Sequence, residues 1–518
     1  MYLTQPLHRA LQQYPDRTAV IDGDRQFTYR EYVERVSRLA GALQSVGMKP
    51  GDRVSMYSLN SGEYLEYLVG VPWGDGVIVP INTRWNVIEI AESLVDSGVE
   101  ILLVSETFAG SVPELRRLAP NLKTVIKIGE RADGWLDYEE IVQAAVGIPD
   151  ARRSGDSLAA LFYTGGTTGT SKGVMLSHAN LMVSALGTNA SGFWATRAGR
   201  FLHSAPMFHL ADVCLWLGHS LVGSTHVVVP GFDAVAVLRA VEEHRVTDLF
   251  LVPTMIQALV DHPDFSSYDL SSLRRFCYGA SPIPPDVLDR TLAALPEVDL
   301  AQAYGQTELA PIATLLAPED HRKPGKRRYS AGRAAEHSEI RVVREDTTDC
   351  DLGEVGEIIA RGGNVMLGYW NLPDVTAAAY RNGWVHTGDA GYLDEEGYLF
   401  IVDRIKDMIV SGGENVYAAE VEKAMYTHPA ISMCAVIGLP DPSYVETVHA
   451  VIVLNDGHTL TLEEVREHVK SRIAGYKAPR SVDFVDAMPI SGAGKILKHE
   501  LRKERSGKPG VHQSGDSA

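Results

Sequence analysis

Short apolar runs rich in β-branched residues recur through about the first four hundred positions of the chain. Examples are VIVPIN, ILLVS, TVIKI, ALFYT, HVVVP and DLFLVP, whose length and composition are typical of buried strands. The segments between them carry apolar residues at helical spacing, as residues 29–46 do. Strands that alternate with amphipathic helices predict an α/β fold class.

A smaller unit with a mixed α+β pattern follows. GYLFIVDRIKDMIVSGGENVY has the pattern of a strand, a charged stretch and a Gly-Gly turn, while CAVIGLP and HAVIVL have the pattern of strands. AAEVEKAMYTH is amphipathic, and Thr461 and Glu464 have the spacing of a capping box. The helix that this box opens is expected to turn its apolar side chains inward, namely Leu462, Val465, Val469 and Ile473.

The change of pattern places a domain boundary near Asp403 to Lys406. We predict a large N-terminal domain over residues 1–403, a smaller C-terminal domain over 404–505 and a flexible Gly/Ser-rich tail over 506–518. A length of 518 residues agrees with this division, because one hydrophobic core rarely serves so long a chain.

Charge and cysteine content narrow the choice of partners. Lys+Arg 48 against Asp+Glu 66 gives a net charge of −18, which disfavours a nucleic acid or an anionic membrane as the main partner. No apolar stretch reaches membrane-spanning length, so no transmembrane segment is predicted, while peripheral membrane contact stays open. The four cysteines lack CxxC spacing, which predicts neither a zinc site nor a disulfide framework and fits a cytoplasmic location.

The stretch YTGGTTGTSKGV, which follows an apolar run, has the composition of a phosphate-binding loop. Glycines permit a close backbone approach to an anion, threonines donate hydroxyl hydrogens and lysine adds charge. A Walker loop is excluded because Ser171 precedes the lysine and Gly173 follows it. On residues alone, a plain Gly/Thr-rich turn is the alternative. The candidate phosphate ligands are Thr164, Gly165, Gly166, Thr167, Thr168, Gly169 and Lys172.

Four segments occur in the order found in adenylate-forming enzymes: YTGGTTGTSKGV, AYGQTE, WVHTGDAGYLDEEGYLFIVDRIKDMIVSGGENVYAAEVE and SGAGKILKHELR. With RQFTYREYVERVSRLAGAL near the start they span nearly the whole chain, which therefore resembles acyl- and aryl-CoA ligases of that superfamily. The resemblance implies a large N-terminal adenylation domain of several subdomains and a small, mobile C-terminal domain. It also implies a reaction in which a carboxylate attacks the α-phosphate of MgATP, giving acyl-AMP and pyrophosphate, and coenzyme A then displaces AMP.

The resemblance implies a role for each nucleotide-site residue. In AYGQTE, Glu308 would ligate Mg²⁺, Tyr304 would lie against the purine and Thr307 would touch the α-phosphate. Asp389 and Arg404 would hold the ribose. Taken singly, each of these residues has an ordinary alternative as a turn or solvated residue. CYGASPI would line the adenine and the acyl pocket through Gly279 and Ala280.

The resemblance also implies moving parts. Lys406 falls at the hinge about which the small domain rotates between half-reactions, and Lys495 would bridge the acid carboxylate and ATP. Gly412 and Gly413 would line the pantetheine tunnel after rotation. Lys498 and Lys503, beyond the catalytic lysine, are interpreted as solvated.

Two loop residues depart from the family's usual pattern. Gly165 stands where serine is usual, and Ser171 stands where proline is usual. Glycine forfeits one hydroxyl donor, and serine replaces a residue of fixed φ. We therefore expect a more mobile loop with its chemistry retained.

HSAPMFHLADVCLWLG resembles the segment that contacts the substrate carboxyl, here through His209. Amino-acid-activating relatives place an aspartate directly after this position, whereas this chain has Leu210, which cannot pair with an ammonium group. The sequence therefore predicts an uncharged, largely apolar acid, with Val213 and Trp216 as candidate pocket walls that could equally be core residues. Fatty and arylalkanoic acids are favoured, and steroid side-chain acids stay open.

The main hypothesis is thus an acid–CoA ligase that uses ATP and Mg²⁺. The alternatives are an acyl-AMP ligase that loads a carrier protein, a non-catalytic nucleotide-binding regulator on the same fold and, remotely, a luciferase-like oxygenase. Retention of Lys495, Glu308 and Asp389 disfavours the regulator. The oligomeric state is left open, with a homodimer among the options.

Overall fold

The structure, a computed structural model, describes residues 1–131, 134–164, 171–411, 414–441, 444–490 and 496–505. Within these ranges the chain forms the following strands: β1 (Thr18–Asp22), β2 (Arg25–Thr28), β3 (Arg53–Tyr57), β4 (Val77–Pro80), β5 (Ile101–Ser105), β6 (Thr124–Ile128), β7 (Leu136–Asp137), β8 (Leu158–Thr164), β9 (Lys172–Ser177), β10 (Arg200–His203), β11 (Thr225–Val228), β12 (Asp248–Leu251), β13 (Arg275–Gly279), β14 (Asp299–Gly305), β15 (Ile312–Leu316), β16 (Arg333–Ala334), β17 (Ser338–Val343), β18 (Gly356–Gly362), β19 (Gly368–Tyr369), β20 (Tyr380–Arg381), β21 (Trp384–Leu393), β22 (Leu399–Arg404), β23 (Ile409–Ser411), β24 (Glu414–Val416), β25 (Ile431–Asp441), β26 (Val445–Leu454) and β27 (Ser481–Phe484).

The helices of the same ranges are α1 (Gln5–Gln13), α2 (Tyr29–Ser45), α3 (Gly62–Trp73), α4 (Val87–Ser97), α5 (Val112–Leu118), α6 (Tyr138–Ala144), α7 (His178–Ala190), α8 (Leu210–Val222), α9 (Ala234–His244), α10 (Pro253–Val260), α11 (Pro285–Ala294), α12 (Pro318–Arg322), α13 (Pro373–Ala379), α14 (Ala418–Tyr426), α15 (Leu462–Lys470) and α16 (Lys498–Arg505). Short 3₁₀ turns include Thr307–Leu309 and Ile405–Asp407. None of the described helices is long and apolar enough to cross a membrane.

The chain separates into two compact units. The first is Met1–Ile340 with Ile359–His386, and the second is Arg341–Ile358 with the chain from Thr387 onward. Compactness thus groups residues 387–403 with the C-terminal part, whereas the sequence counted them in the N-terminal domain. The functional boundary at residue 403 stays a prediction.

Two large sheets form the first unit. Its strands pair in the orders β19-β9-β8-β4-β3-β5-β6-β7 and β16-β15-β14-β13-β12-β10-β11-β1-β2. The six apolar runs of the sequence are all strands here, namely β4, β5, β6, β8, β11 and β12, so the α/β prediction is confirmed. Residues 29–45 form α2, which begins at a capping box of Thr28 and Glu31 and buries Tyr32, Val36 and Leu39 in the main core.

The second unit contains a smaller sheet of order β24-β23-β26-β25, with β27 beside β26. The predicted capping box is present, because Glu464 N donates to Thr461 Oγ1 and Thr461 N donates to the Glu464 carboxylate. Val465 and Val469 of α15 are buried against α14 and the sheet, as predicted. Leu462 and Ile473 are only partly buried.

The interpretation of Lys498 as solvated is wrong. Its side chain is 16% exposed, and its Nζ lies 2.8 Å from Oε1 of Glu422, whose side chain is 17% exposed. Burial alone would lower the pKa of Lys498, but the Glu422 and Asp403 carboxylates raise it above the ordinary lysine value. Lys503, five residues further along α16, is exposed as expected.

We expect Lys498→Met to destabilise the protein by about 1–3 kcal/mol, because it leaves the Glu422 carboxylate enclosed without its counter-ion. Chemical denaturation followed by circular dichroism measures the change. Lys503→Met, the same substitution on the exposed side of α16, is the matched control and should change stability by less than about 0.5 kcal/mol. Equal effects of the two substitutions would contradict the buried-pair argument.

Candidate active site

The two ends of the candidate phosphate loop are held side by side. Thr164 ends β8, Lys172 begins β9, and the antiparallel register pairs these two residues directly. Gly165, Gly166, Thr167, Thr168 and Gly169 lie outside the described residues. The loop therefore leaves and re-enters the sheet at adjacent positions, which keeps the described ligands Thr164 and Lys172 together.

The adenine candidates meet at the carboxyl ends of two parallel strands. β13 and β14 pair with Gly279 opposite Ala303, so Ala280 and Tyr304 follow at the same sheet edge. A Cβ at Gly279 would collide with the Ala303 carbonyl oxygen, which explains the glycine. Ala280 has φ +68°, a conformation that alanine seldom adopts and that often marks a binding site.

Glu308 is presented by a tight turn directly after β14. A Cβ at Gly305 would collide with the Pro311 carbonyl oxygen, so only glycine allows the chain to turn here into Thr307–Leu309. The Glu308 backbone oxygen accepts a hydrogen bond of 2.9 Å from Met366 N. Its carboxylate Oε1 accepts one of 2.8 Å from the Tyr369 hydroxyl.

Glu308 fits the role of a magnesium ligand. Mg²⁺ prefers oxygen ligands and, in nucleotide sites, takes one or two carboxylates together with substrate phosphates. Among the described residues no cluster of three or more His, Cys, Asp or Glu side chains could hold a metal ion on its own. A site at Glu308 would take substrate phosphate oxygens as further ligands.

Asp389 and Arg404, the ribose candidates, belong to the second unit and lie opposite each other in the antiparallel pair β21 and β22. Arg404 Nε is 2.7 Å from Asp389 Oδ1, and the Asp389 side chain is only 8% exposed. The backbone N of Asp389 donates to Thr387 Oγ1, which in turn donates to the Ile358 carbonyl. Arg404 thus orients the carboxylate and Thr387 fixes the backbone that carries it, which suits a group that accepts hydrogen bonds from a diol.

His209 stands at the N-terminal end of α8 and is half-buried. The segment that leads to it is fixed by buried Asn60, which donates to the Ala205 carbonyl at 2.8 Å and accepts from Met207 N at 2.8 Å. Asp212, in the first turn of α8, is 2.7 Å from His203 Nδ1 and fully buried. The acidic side chain in the first turn of α8 is therefore engaged with His203 inside the protein.

The candidate wall residues Val213 and Trp216 are each 1% exposed and belong to the main hydrophobic core. The structure is compatible with both interpretations made from the sequence, a core residue and a pocket wall, because a fully packed residue can also form the wall of a pocket. Their contact with substrate stays a prediction.

Several candidates lie outside the described residues, namely Gly412, Gly413 and Lys495. Lys406 lies in the 3₁₀ turn Ile405–Asp407. This turn is anchored to α16, since Arg502 Nη2 donates to Asp407 Oδ1 at 2.8 Å. The hinge role of Lys406 stays a prediction.

Sequence reasoning missed Tyr369 and Asn60. Tyr369 is 61 residues from Glu308 along the chain and Asn60 is 145 residues from Ala205. Neither occurs in a segment that carried the resemblance, and no local pattern marks either residue. Each residue reaches the site only because the fold brings together segments that are far apart in the chain.

Comparisons with known proteins found matches along most of the chain. Residues 7–370 match the model of the AMP-binding enzyme family, and residues 420–495 match that of the AMP-binding enzyme C-terminal domain. Feruloyl-CoA synthase of Amycolatopsis sp is 40% identical over 503 residues, which cover 96% of this chain and 98% of that protein.

Two further matches cover almost the whole chain. Long-chain-fatty-acid–CoA ligase FadD13 of Mycobacterium tuberculosis (strain CDC 1551 / Oshkosh) is 35% identical over 93% of this chain and 94% of its own. The crystal structure of the anthranilate CoA ligase AuaEII in complex with anthranoyl-AMP has a TM-score of 0.90 and 27% identity, with 97% of each chain covered.

Proposed function

The chain belongs to the family of AMP-binding enzymes. From that premise we propose that its substrate is a carboxylic acid with no charged group besides the carboxylate and with an aromatic ring on a short side chain. The enzyme is an AMP-forming acid–CoA ligase. It consumes ATP and coenzyme A and converts a largely apolar carboxylic acid to its acyl-CoA through acyl-AMP. The resemblance stated from the sequence is confirmed.

The observation that carries the choice of acid is the start of α8. Leu210 follows His209 and is 3% exposed, so no carboxylate occupies the position that would receive a substrate ammonium. The acidic residue of this turn, Asp212, is engaged with His203. An acid with a free amino group would lose its hydration without gaining a counter-ion. A relative that is 40% identical is a feruloyl-CoA synthase, which favours an aryl over a long alkyl acid.

We propose the following division of labour in the adenylation step. Ala280 and Tyr304 hold the adenine, and Asp389, oriented by Arg404, accepts hydrogen bonds from the ribose. Lys172 and Thr164 offset charge on the departing pyrophosphate. Mg²⁺ would be held by Glu308 and would supply further charge neutralisation at the phosphates. The sequence predictions of a cytoplasmic location and of a homodimer stay predictions.

A panel of acids tests the proposal. The enzyme is incubated with ATP, Mg²⁺ and coenzyme A, and AMP and pyrophosphate release are followed with ferulate, 3-phenylpropanoate, indole-3-acetate, octanoate and palmitate. Phenylalanine is the matched control for 3-phenylpropanoate, from which it differs only in its amino group. We expect 3-phenylpropanoate to exceed phenylalanine in kcat/KM by more than about tenfold, because the ammonium group has no partner.

The possible outcomes separate the hypotheses. AMP release that needs no coenzyme A but requires a phosphopantetheinylated carrier protein would support the carrier-loading alternative. Preference for palmitate over every aryl acid would overturn the aryl proposal and leave the ligase reaction intact. No acid-dependent release of AMP with either thiol would overturn the ligase function itself.

A further inference from the structure

The short segment of residues 366–370 contacts both the Glu308 turn and strand β9 of the candidate phosphate site. Met366 N donates to the Glu308 carbonyl and Leu367 N donates to the Met175 carbonyl, each at 2.9 Å. The next two residues form β19, which pairs with β9 and sets Tyr369 opposite Val174. Trp370 N then donates to the Gly173 carbonyl at 2.8 Å. The segment therefore joins the Glu308 turn to the strand that begins at Lys172.

The Tyr369 side chain repeats this connection. Its hydroxyl donates to Glu308 Oε1 at 2.8 Å, and the Nζ of Lys172 lies 5.2 Å from the centroid of its ring. A cation within about 6 Å of an aromatic centroid is attracted by the negative ring face. Tyrosine supplies both a hydroxyl donor and a ring face, and one residue thus contacts the candidate metal ligand and the candidate phosphate cation.

We propose that Tyr369 is a positioning residue that sets the geometry of the Glu308 carboxylate towards a divalent cation and of the Lys172 ammonium towards the ATP phosphates. The proposal rests on the proposed roles of Glu308 and Lys172.

The hydrogen bond from Tyr369 explains how the Glu308 carboxylate would be positioned before a cation binds. A free glutamate samples several rotamers, and fixing one before the cation arrives removes that entropy cost from binding. Because Oε1 accepts a hydrogen bond from the Tyr369 hydroxyl, the rotamers open to the carboxylate are restricted. Mg²⁺ demands strict octahedral geometry, so a disordered ligand lowers its affinity more than that of a tolerant ion such as Ca²⁺.

The aromatic ring of Tyr369 explains how the Lys172 side chain would be positioned before ATP binds. Lys172 has four rotatable side-chain bonds, and contact with the Tyr369 face restricts them. The two contacts can be separated by substitution: Tyr369→Phe keeps the ring and removes the hydroxyl, whereas Tyr369→Leu removes both.

The test measures binding rather than turnover. Full-length wild type and variants are titrated by calorimetry with a non-hydrolysable ATP analogue, first without metal, and the analogue complex is then titrated with Mg²⁺. For Tyr369→Phe we expect Mg²⁺ to bind roughly 10- to 100-fold more weakly, the size of one hydrogen bond to a charged group, while metal-free nucleotide affinity changes less than about twofold. Tyr369→Leu should additionally weaken metal-free nucleotide binding by roughly threefold or more.

Tyr380→Phe is the matched control, since this tyrosine lies in the same unit and is 46% exposed, and it should leave both titrations unchanged. Unchanged Mg²⁺ affinity in Tyr369→Phe would overturn the proposal. Equal loss of metal-free and Mg²⁺ binding in that variant would overturn it too, because a structural defect would act on both. Failure of the wild-type analogue complex to bind Mg²⁺ would instead count against the proposed magnesium site, and that result is visible before any variant is made.

Discussion

Glu308→Gln is expected to lower the rate of acyl-AMP formation by roughly 100- to 1000-fold at millimolar Mg²⁺. The amide oxygen can still accept the hydrogen bond from Tyr369, so the turn and its contacts are kept. The negative charge is lost, and a neutral amide is a much weaker ligand for Mg²⁺ than a carboxylate. Charge stabilisation of a leaving pyrophosphate is worth about 3–4 kcal/mol per group in such sites. Pyrophosphate exchange into ATP with a saturating acid measures the step.

Glu319→Gln makes the same chemical change on an exposed glutamate of α12 in the same unit. It should leave the exchange rate within about twofold of wild type. Nucleotide binding without metal separates the causes: it should be preserved in Glu308→Gln, because the carboxylate acts through the cation. A full exchange rate in Glu308→Gln would remove Glu308 from the metal site.

Local pattern was sufficient for most of the fold. Strands such as ILLVS and DLFLVP are buried on both faces in largely parallel sheets, so each is a continuous apolar run that can be recognised from its composition. The capping box at Thr461 and Glu464 is equally local, since both partners lie within one turn. These elements are determined by residues that are close together in the sequence, so the sequence alone is enough to predict them.

The site could be predicted only in part, because its side-chain contacts depend on strand register and on segments that are far apart in the chain. AYGQTE marks Glu308, but nothing near it indicates that Tyr369 donates to its carboxylate. Asp389 and Arg404 were each assigned to the ribose, whereas their mutual ion pair follows from the register of β21 and β22. Resemblance to a family predicts the role of each residue. A contact between two side chains can be identified only from the three-dimensional structure.

Lys498 shows the same limit for a charged residue. KILKHELRKER is rich in charge, and such a helix usually faces water on most sides. One of its lysines nevertheless faces Glu422 of α14, 76 residues earlier. The charge of these residues predicts that their side chains are exposed. Only the contact between α16 and α14 shows that Lys498 is largely buried.

Lys495→Ala is expected to slow acyl-AMP formation by roughly 100- to 1000-fold and to leave thioester formation from supplied acyl-AMP within about threefold of wild type. The resemblance assigns Lys495 to the space between the acid carboxylate and ATP, where one ammonium aligns two anions that otherwise repel each other. That repulsion exists only in the first half-reaction. The second begins from acyl-AMP, in which the carboxylate has already become a mixed anhydride.

The two half-reactions are therefore measured apart, the first by pyrophosphate release and the second by AMP release from synthetic acyl-AMP and coenzyme A. Lys503→Ala removes an equal charge from an exposed position on the helix that follows and should affect neither rate. Because net charge falls by one in both variants, a difference between them reports position rather than long-range electrostatics. Equal loss of both half-reactions in Lys495→Ala would refute a role confined to adenylation and would point to a lysine needed for folding or for coenzyme A.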